Sequence, residues 1–192
     1  PGQQASSVQA DLLADLLASA AQLPSAGVDV LLAYSDEQAP AAFLADLPAF
    51  VTAFPQHGDN IGQRMNNAFA DAFARGYQEV VLTGSDLPQL TATTVERAFQ
   101  VMKEVVIGPS VDGGYYLIGA QRGIDLTPLF NAAIDWGHST VLQSTLSRVA
   151  GHDVQLLAAQ TDVDSPADLQ VAPRQLDDHN SPLRQWVKEE NE

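Results

Sequence analysis

Residues 105–118, VVIGPSVDGGYYLI, decide the fold class of this 192-residue chain. Two apolar runs, 105–107 and 115–118, are typical of strands, and Asp112-Gly113-Gly114 lies between them. Asp-Gly is a strong hairpin signal, so the two strands are expected to pair antiparallel. The stretch therefore predicts a mixed sheet with one antiparallel strand.

Outward from this hairpin, extended and helical patterns alternate along the sequence. Extended segments are predicted at 28–33, 50–54, 80–82, 105–107, 115–118 and 153–158. Helices are predicted at 4–22, near 39–46, at 60–74, from the capping box Thr93-x-x-Glu96 to about 103, at 138–149, and from Ser165 onward. This alternation predicts an α/β fold, a three-layer α/β/α sandwich with a mostly parallel mixed sheet.

Length and composition fit one domain spanning 1–192, with a polar tail at 173–192 that contains a short helix. Nine basic against 24 acidic residues give a net charge of −15, which argues against nucleic acid and anionic membranes as partners. The absence of cysteine excludes disulfides, thiolate nucleophiles and thiolate zinc sites. No apolar run approaches the roughly 18 residues of a membrane span. No signal-peptide pattern opens the sequence either, so a cytoplasmic protein is expected.

Three segments follow predicted strands, where ligands bind in open α/β sheets. The first is Gly84-Ser85-Asp86, directly after the strand at 80–82. The Asp86 carboxylate suits a hard divalent cation, and Gly84 lets a ligand approach the backbone. The alternative interpretation is that Asp86 only orders its own turn before Pro88.

The second segment is the hairpin turn Asp112-Gly113-Gly114. A structural role is favoured here, because Asp-Gly is so common in hairpins. Two consecutive glycines also permit backbone contact with a ligand, so both interpretations stay open.

The third segment contains Asp162 and Asp164, which face the same side of an extended chain. Two carboxylates at such a short separation repel each other unless a cation lies between them. The pair therefore indicates a metal site.

Two single residues are also candidates. Arg64 lies in the first turn of its predicted helix, where the helix dipole disfavours a cation that has no anionic partner. That partner is either a ligand phosphate or carboxylate, or a surface acid. Trp136 precedes a helix and is suited to stacking on a sugar or base, although packing is the commoner role of a Trp.

Five motifs occur in order and together resemble one bacterial family. They are Gly62-Gln-Arg-Met65, Val81-Leu-Thr-Gly-Ser-Asp-Leu-Pro88, Gly108-Pro-Ser-Val-Asp-Gly-Gly-Tyr-Tyr-Leu-Ile-Gly119, Trp136-Gly137 and Asp162-Val-Asp-Ser-Pro-Ala-Asp-Leu169. Over roughly residues 1–172 the chain resembles glycosyltransferase-like proteins with the GT-A, or nucleotide-diphospho-sugar transferase, fold. That family is itself similar to MobA-like and CofC-like nucleotidyltransferases.

The resemblance implies a metal-dependent transferase with a nucleotide-diphospho-sugar donor and a small-molecule acceptor. It implies Mg²⁺ or Mn²⁺, which would stabilise the departing diphosphate. It also places Asp112 in the loop near the sugar or acceptor, and as the acid of that loop Asp112 is the candidate catalytic base. The implied metal ligands are Asp86, Asp162 and Asp164. The implied donor-binding residues are Arg64, Gly84, Ser85, Asp86, Gly113, Gly114 and Trp136. Two alternatives stay open: a nucleotidyltransferase that joins a nucleoside triphosphate to a phosphorylated small molecule, and a non-catalytic binding domain.

The chain departs from this family at its start. Relatives begin with an apolar strand and a loop whose Lys and Arg grip the nucleotide phosphates, whereas this sequence runs from Pro1 into the helix at 4–22. In the family, that strand lies between the strands corresponding to 28–33 and 80–82. The resemblance therefore predicts an N-terminally incomplete domain with unpaired backbone in the middle of the sheet. Three interpretations stay open: the sequence is a shortened form of a longer protein, another segment fills the position, or the chain is a defective relative.

Overall fold

The computed structural model describes residues 12–35, 41–85, 87, 90–130 and 134–160. Its strands are β1 (Val30–Tyr34), β2 (Val51–Pro55), β3 (Glu79–Thr83), β4 (Val105–Pro109), β5 (Tyr115–Gln121) and β6 (Val154–Leu156). Its helices are α1 (12–20), α2 (Ala41–Ala45), α3 (Ile61–Ala74), α4 (Ala92–Val101), α5 (Thr127–Phe130) and α6 (Val141–Arg148), with a 3-10 turn at Leu23–Ala26. The predicted helix from Ser165 and the tail at 173–192 lie outside the described residues.

The strands form two sheets. One is the parallel pair β1-β2, and the other has the order β3-β5-β4-β6. Strand β5 is antiparallel to both β3 and β4, whereas β4 is parallel to β6. The hairpin predicted from residues 105–118 is confirmed, with Ile107 opposite Ile118. Strands β3, β4 and β6 therefore run in one direction, and β5 is the strand of this described sheet that runs in the other.

Helices cover both faces of the four-stranded sheet, because successive residues of a strand point to opposite faces. Ile107 of β4 packs with Phe69 of α3 and Phe130 of α5. Its neighbour Val106 packs with Ala98 of α4 on the other face. Both strand residues are fully buried. The predicted three-layer α/β/α arrangement is confirmed, and none of the described helices is long and apolar enough to cross a membrane.

Helix α4 begins two residues before the position that the sequence predicted. Its N-cap is Thr91, whose hydroxyl accepts a hydrogen bond from the Thr94 N–H at 3.2 Å. The predicted capping box from Thr93 to Glu96 is therefore wrong, because Thr93 already lies within the helix. Both threonines are suitable caps, and the extended backbone of Thr91 selects the earlier one.

Strands β1 and β3 are not paired with each other, and no described strand lies between them. A cavity of about 1160 Å³ separates them. We call it the inter-sheet cavity. All residues in 29–33 and 78–85 line it. The described part of the chain thus leaves open the position that the resemblance assigned to the relatives' first strand.

Candidate functional site

The inter-sheet cavity extends to the carboxyl end of β3, where Thr83, Gly84 and Ser85 line it. Arg64, from the first helical turns of α3, lines the same cavity. Only residues 75–78 separate the end of α3 from the start of β3, so the 14-residue helix runs back along the strand. At about 1.5 Å per helical residue and 3.3 Å per strand residue, the start of α3 lies near the carboxyl end of β3. The structure therefore brings Arg64, Gly84 and Ser85 together.

Arg64 is half-buried and is held by a backbone group rather than by an acid. Its Nε donates to the Gly58 carbonyl at 3.1 Å. It makes no ion pair with any residue in the described part of the chain, so no surface acid there accounts for it. Among the described contacts, neither terminal amino group of the guanidinium has a partner. Both are therefore available to a ligand.

The loop before α3 is fixed by side chains of the helix it precedes. Asn60 is the N-cap, and its side chain accepts from the Gln63 N–H at 2.9 Å. The Gln63 side chain in turn accepts from the Asp59 N–H at 2.8 Å. Asn67 donates to the His57 carbonyl at 2.8 Å. These bonds hold the Gly58 carbonyl in place, and with it the Arg64 side chain.

The other charged residues that line the cavity lie toward its opposite end. Glu79 is paired with Gln121 at the start of β3, so Arg122 follows at that amino end. Asp29, just before β1, accepts a hydrogen bond from the Tyr77 hydroxyl at 2.9 Å, and this bond raises the pKa of Tyr77. Arg64 is therefore the cation of the described lining at the carboxyl end of β3.

Trp136 is half-buried and packs against the edge of the core. Its ring meets Tyr115 edge-on, with centroids 6.5 Å apart and planes at 82°. It also lies against Gly62, where an added Cβ would be 3.0 Å from the indole and would collide with the Phe130 carbonyl oxygen. The absence of a side chain at Gly62 therefore lets α3 pack closely against Trp136 and Phe130, two residues before Arg64.

Tyr115 is a cavity residue that the sequence interpretation treated only as part of a strand. It lines the inter-sheet cavity and contacts Trp136. Burial raises the pKa of its phenol well above the ordinary value, so the hydroxyl stays protonated under all physiological conditions. No pattern of residue types distinguishes this tyrosine from the rest of its strand, because the apolar run at 115–118 indicates only a buried strand.

Asp112 shapes its own turn. Its Oδ1 accepts from the Ser110 hydroxyl at 2.5 Å and from the Gly114 N–H at 3.0 Å. Asp112 is exposed, whereas Gly113 and Gly114 are half-buried, and none of the three is in the lining of the inter-sheet cavity. These three residues lie together in the turn, and Tyr115, which follows them directly, lines the cavity that Arg64, Gly84 and Ser85 also line.

These bonds give a first testable prediction. Asp112→Ala removes both of them, and we expect a loss of about 2 kcal/mol in the free energy of unfolding. Asp112→Asn keeps an acceptor oxygen in the same position and should lose less than about 0.5 kcal/mol. Urea unfolding of the two variants and the wild type measures both values. Equal destabilisation by Ala and Asn would show that the carboxylate charge, rather than the turn geometry, stabilises this hairpin.

The predicted metal ligands Asp86, Asp162 and Asp164 lie outside the described residues. Asp86 directly follows Ser85 in the sequence. Their carboxylate oxygens are the donors that Mg²⁺ and Mn²⁺ prefer, so the donor chemistry fits the implied metal. Within the described ranges, no group of three or more His, Asp or Glu side chains is arranged to hold a metal ion.

Comparison with known proteins finds one family model and several solved structures that match this chain. The sequence model of a family described as uncharacterized proteins conserved in bacteria (DUF2064) matches residues 16–138. The structure superposes on the crystal structure of a proposed nucleotide-diphospho-sugar transferase from Desulfovibrio desulfuricans G20, with a TM-score of 0.87 and 31% sequence identity. The match covers 98% of this chain and 84% of that one. No curated protein matches the chain.

Proposed function

We propose that this chain, which belongs to the DUF2064 family of proteins conserved in bacteria, is a metal-dependent transferase that uses a nucleotide-diphospho-sugar donor. The solved protein at 31% identity, itself a proposed nucleotide-diphospho-sugar transferase, supports the general kind of activity. The observation that carries the proposal is Arg64. It is a half-buried cation without an acidic partner in the described chain, held in a cavity at the carboxyl end of β3.

A diphosphate is the ligand that this arrangement fits best. The planar guanidinium donates two parallel hydrogen bonds to phosphate oxygens, and its Nε bond to Gly58 fixes the orientation of the plane. Gly84 and Ser85 line the cavity beside it and offer backbone N–H groups and a hydroxyl. Gly113, Gly114 and Trp136 complete the proposed donor-binding set. They would act from the neighbouring turn and from the cluster that packs on Gly62.

The proposed metal ligands are Asp86, Asp162 and Asp164, with Mg²⁺ or Mn²⁺ as the ion. When bound, the metal neutralises charge on the departing nucleoside diphosphate. Arg64 orients the same diphosphate from the protein side.

Asp112 is the proposed base for the acceptor hydroxyl. Asp112→Asn should therefore lower turnover by at least about 100-fold, while the turn bonds described above keep the protein folded.

Arg64 supplies the direct test. We expect Arg64→Gln to weaken binding of a nucleotide-diphospho-sugar about 10- to 100-fold, because a hydrogen bond to a charged group is worth about 1.5–3 kcal/mol. Isothermal titration with UDP-glucose and GDP-mannose in the presence of Mn²⁺ measures the change. The control is Arg97→Gln, which removes the same charge from an exposed position on α4 outside the cavity.

Two results would contradict the proposal. One is equal donor affinity in the Arg64 and Arg97 variants. The other is the absence of nucleotide-sugar binding to the wild type with Mn²⁺. The released product separates the proposal from its closest alternative, since a sugar transferase releases a nucleoside diphosphate and a nucleotidyltransferase releases pyrophosphate from a triphosphate.

A further inference from the structure

Strand β5 contains a β-bulge at Tyr116, close to the hairpin turn. Along β4, Gly108 is opposite Leu117, whereas the next residue, Pro109, is opposite Tyr115. One step along β4 thus corresponds to two steps along β5, and Tyr116 is the extra residue. A bulge interrupts the alternation of side chains between the two faces of a strand, so it decides which face the residue beyond it reaches.

The bulge turns Tyr115 to the face of the sheet on which helix α3 lies. Tyr116 and Leu117 both belong to the cluster on the α4 face, although they are consecutive. Regular alternation would place Tyr115 on that same face, together with Leu117. Instead, Tyr115 packs against the cluster on the opposite face, as does Met65 of α3. Its ring therefore lies on the side of the sheet that carries Arg64.

Tyr115 also lies at the same end of the sheet as this arginine. Thr83, the last residue of β3, pairs with Leu117, and Tyr115 is two residues farther along β5 in the direction of that end. Ser85 continues the chain of β3 in the same direction. Tyr115 lines the inter-sheet cavity together with Ser85 and Arg64, so it borders the proposed donor site.

The ring of Tyr115, rather than its hydroxyl, is what this residue offers to the cavity. The hydroxyl is fully buried, and the hydroxyl of Thr145 on α6, itself fully buried, is next to it. Neither hydroxyl has a hydrogen-bond partner of ordinary geometry among the described residues. Trp136 meets the ring edge-on and supports it from the protein side. The part of Tyr115 that is left to border the cavity is therefore apolar.

On the basis of the proposed transferase function, we propose that Tyr115 is a specificity-determining residue whose ring packs on the sugar of the nucleotide-diphospho-sugar. An apolar ring fits an uncharged part of the donor, which is either the sugar or the base, and not the diphosphate. The sugar carbon that is attacked must lie near the base that activates the acceptor, and the proposed base, Asp112, is only three residues before Tyr115. The sugar is therefore the part of the donor that reaches this ring.

Titrations in the presence of Mn²⁺ with two pairs of ligands measure the contribution of the sugar. UDP-glucose is compared with UDP, and GDP-mannose with GDP. We expect Tyr115→Leu and Tyr115→Met to weaken binding of the nucleotide-sugar at least about fivefold relative to the nucleoside diphosphate. Tyr115→Phe retains the ring and should restore the wild-type ratio of the two affinities. Both ligands of a pair bind the same folded molecules, so this ratio does not depend on the folded fraction.

The matched control is Phe73→Leu, which removes a half-buried ring from the same face of the sheet, outside the cavity lining. We expect it to leave the ratio unchanged. The same change of ratio in Phe73→Leu and Tyr115→Leu would assign the effect to packing and overturn the role of Tyr115.

Two further results would overturn this role and leave the transferase proposal standing. An unchanged ratio in Tyr115→Leu and Tyr115→Met would show that the ring does not contact the sugar. An equal loss of affinity for the nucleotide-sugar and the nucleoside diphosphate would assign the ring to the base or to the support of Arg64. A wild type that binds none of the four ligands would instead contradict the transferase proposal, and the role of Tyr115 with it.

Discussion

Asp86→Asn is expected to reduce transfer from a nucleotide-diphospho-sugar by at least about 100-fold, with little change in the free energy of unfolding. Asp86 follows the strand end at which Gly84 and Ser85 line the inter-sheet cavity. As the proposed first ligand of Mg²⁺ or Mn²⁺, it would lose most of its affinity for the ion when its charge is removed. Arg64 alone would then face the two charged phosphates of the donor.

The measurement pairs Mn²⁺ titration with detection of the released nucleoside diphosphate. The matched control is Asp46→Asn, which removes one charge from an exposed position after α2, outside the cavity lining. We expect Asp46→Asn to behave as wild type in both assays. If Asp86→Asn also does so, the metal assignment is wrong. If the wild type binds donor but transfers nothing, a non-catalytic binding domain becomes the better interpretation.

The hairpin from β4 to β5 was predictable because its signals are local. Asp112-Gly113 specifies a tight reversal, and the apolar runs on either side specify two strands. The pairing of β3 with β5 was not predictable in the same way. Val80, Val81 and Leu82 are apolar toward both faces, so their pattern indicates a buried strand without indicating its neighbour.

Short elements set another limit. Helix α5 spans only Thr127–Phe130, too few residues for a helical period to be recognised. The signal that exists is a cap: the Asp125 carboxylate accepts from the Thr127 N–H at 3.0 Å, and hydrogen bonds to Thr127 lower the pKa of Asp125. Phe130 of this helix is fully buried against the sheet, so the element contributes to the core despite its length.

The candidate site was predictable in part. The position of Arg64 in the first turns of a helix indicated a cation that needs an anionic partner, and no ion pair among the described residues supplies one. Its Gly58 partner depends on the fold of the preceding loop, which no pattern of residue types specifies. Whether Trp136 stacks on a ligand or packs on the protein depends on the space beside Gly62, which follows from the packing of α3 and not from residue types. The three acidic residues proposed to bind metal remain predictions from the sequence.

Gly113→Ala is expected to be the most destabilising single-methyl substitution in the hairpin. Gly113 has φ +95°, a region that costs a residue with a Cβ about 1–2 kcal/mol. The added Cβ would also collide with the Ser139 carbonyl oxygen, a backbone atom that cannot rotate away. The Gly113 carbonyl also accepts a hydrogen bond from the Leu142 N–H at 2.9 Å, so a shift of the turn breaks that bond too. We expect a total loss of about 4 kcal/mol or more.

Gly137 provides the matched control, because it has φ +90° but no heavy atom within 4 Å of an added Cβ. Gly137→Ala should therefore show the backbone cost alone, about 1–2 kcal/mol. In thermal unfolding, we expect the melting temperature of Gly113→Ala to fall by at least about 8 °C and that of Gly137→Ala by about 2–8 °C, the larger fall in each comparison belonging to Gly113→Ala. Equal losses would show that the 139–142 segment moves aside without cost.

The pair of variants also tests what Gly113 is for. If Gly113 lacks a Cβ only so that the turn can pack against Ser139, donor affinity per folded molecule should be unchanged in Gly113→Ala. This comparison holds at temperatures where the protein is folded. If Gly113 binds the donor, as proposed from the motif, affinity falls by more than the folded fraction does. Titration with UDP-glucose and Mn²⁺ at 10 °C, with the folded fraction measured by circular dichroism, separates the two. The turn would then be known either as a support for the 139–142 segment or as part of the donor site.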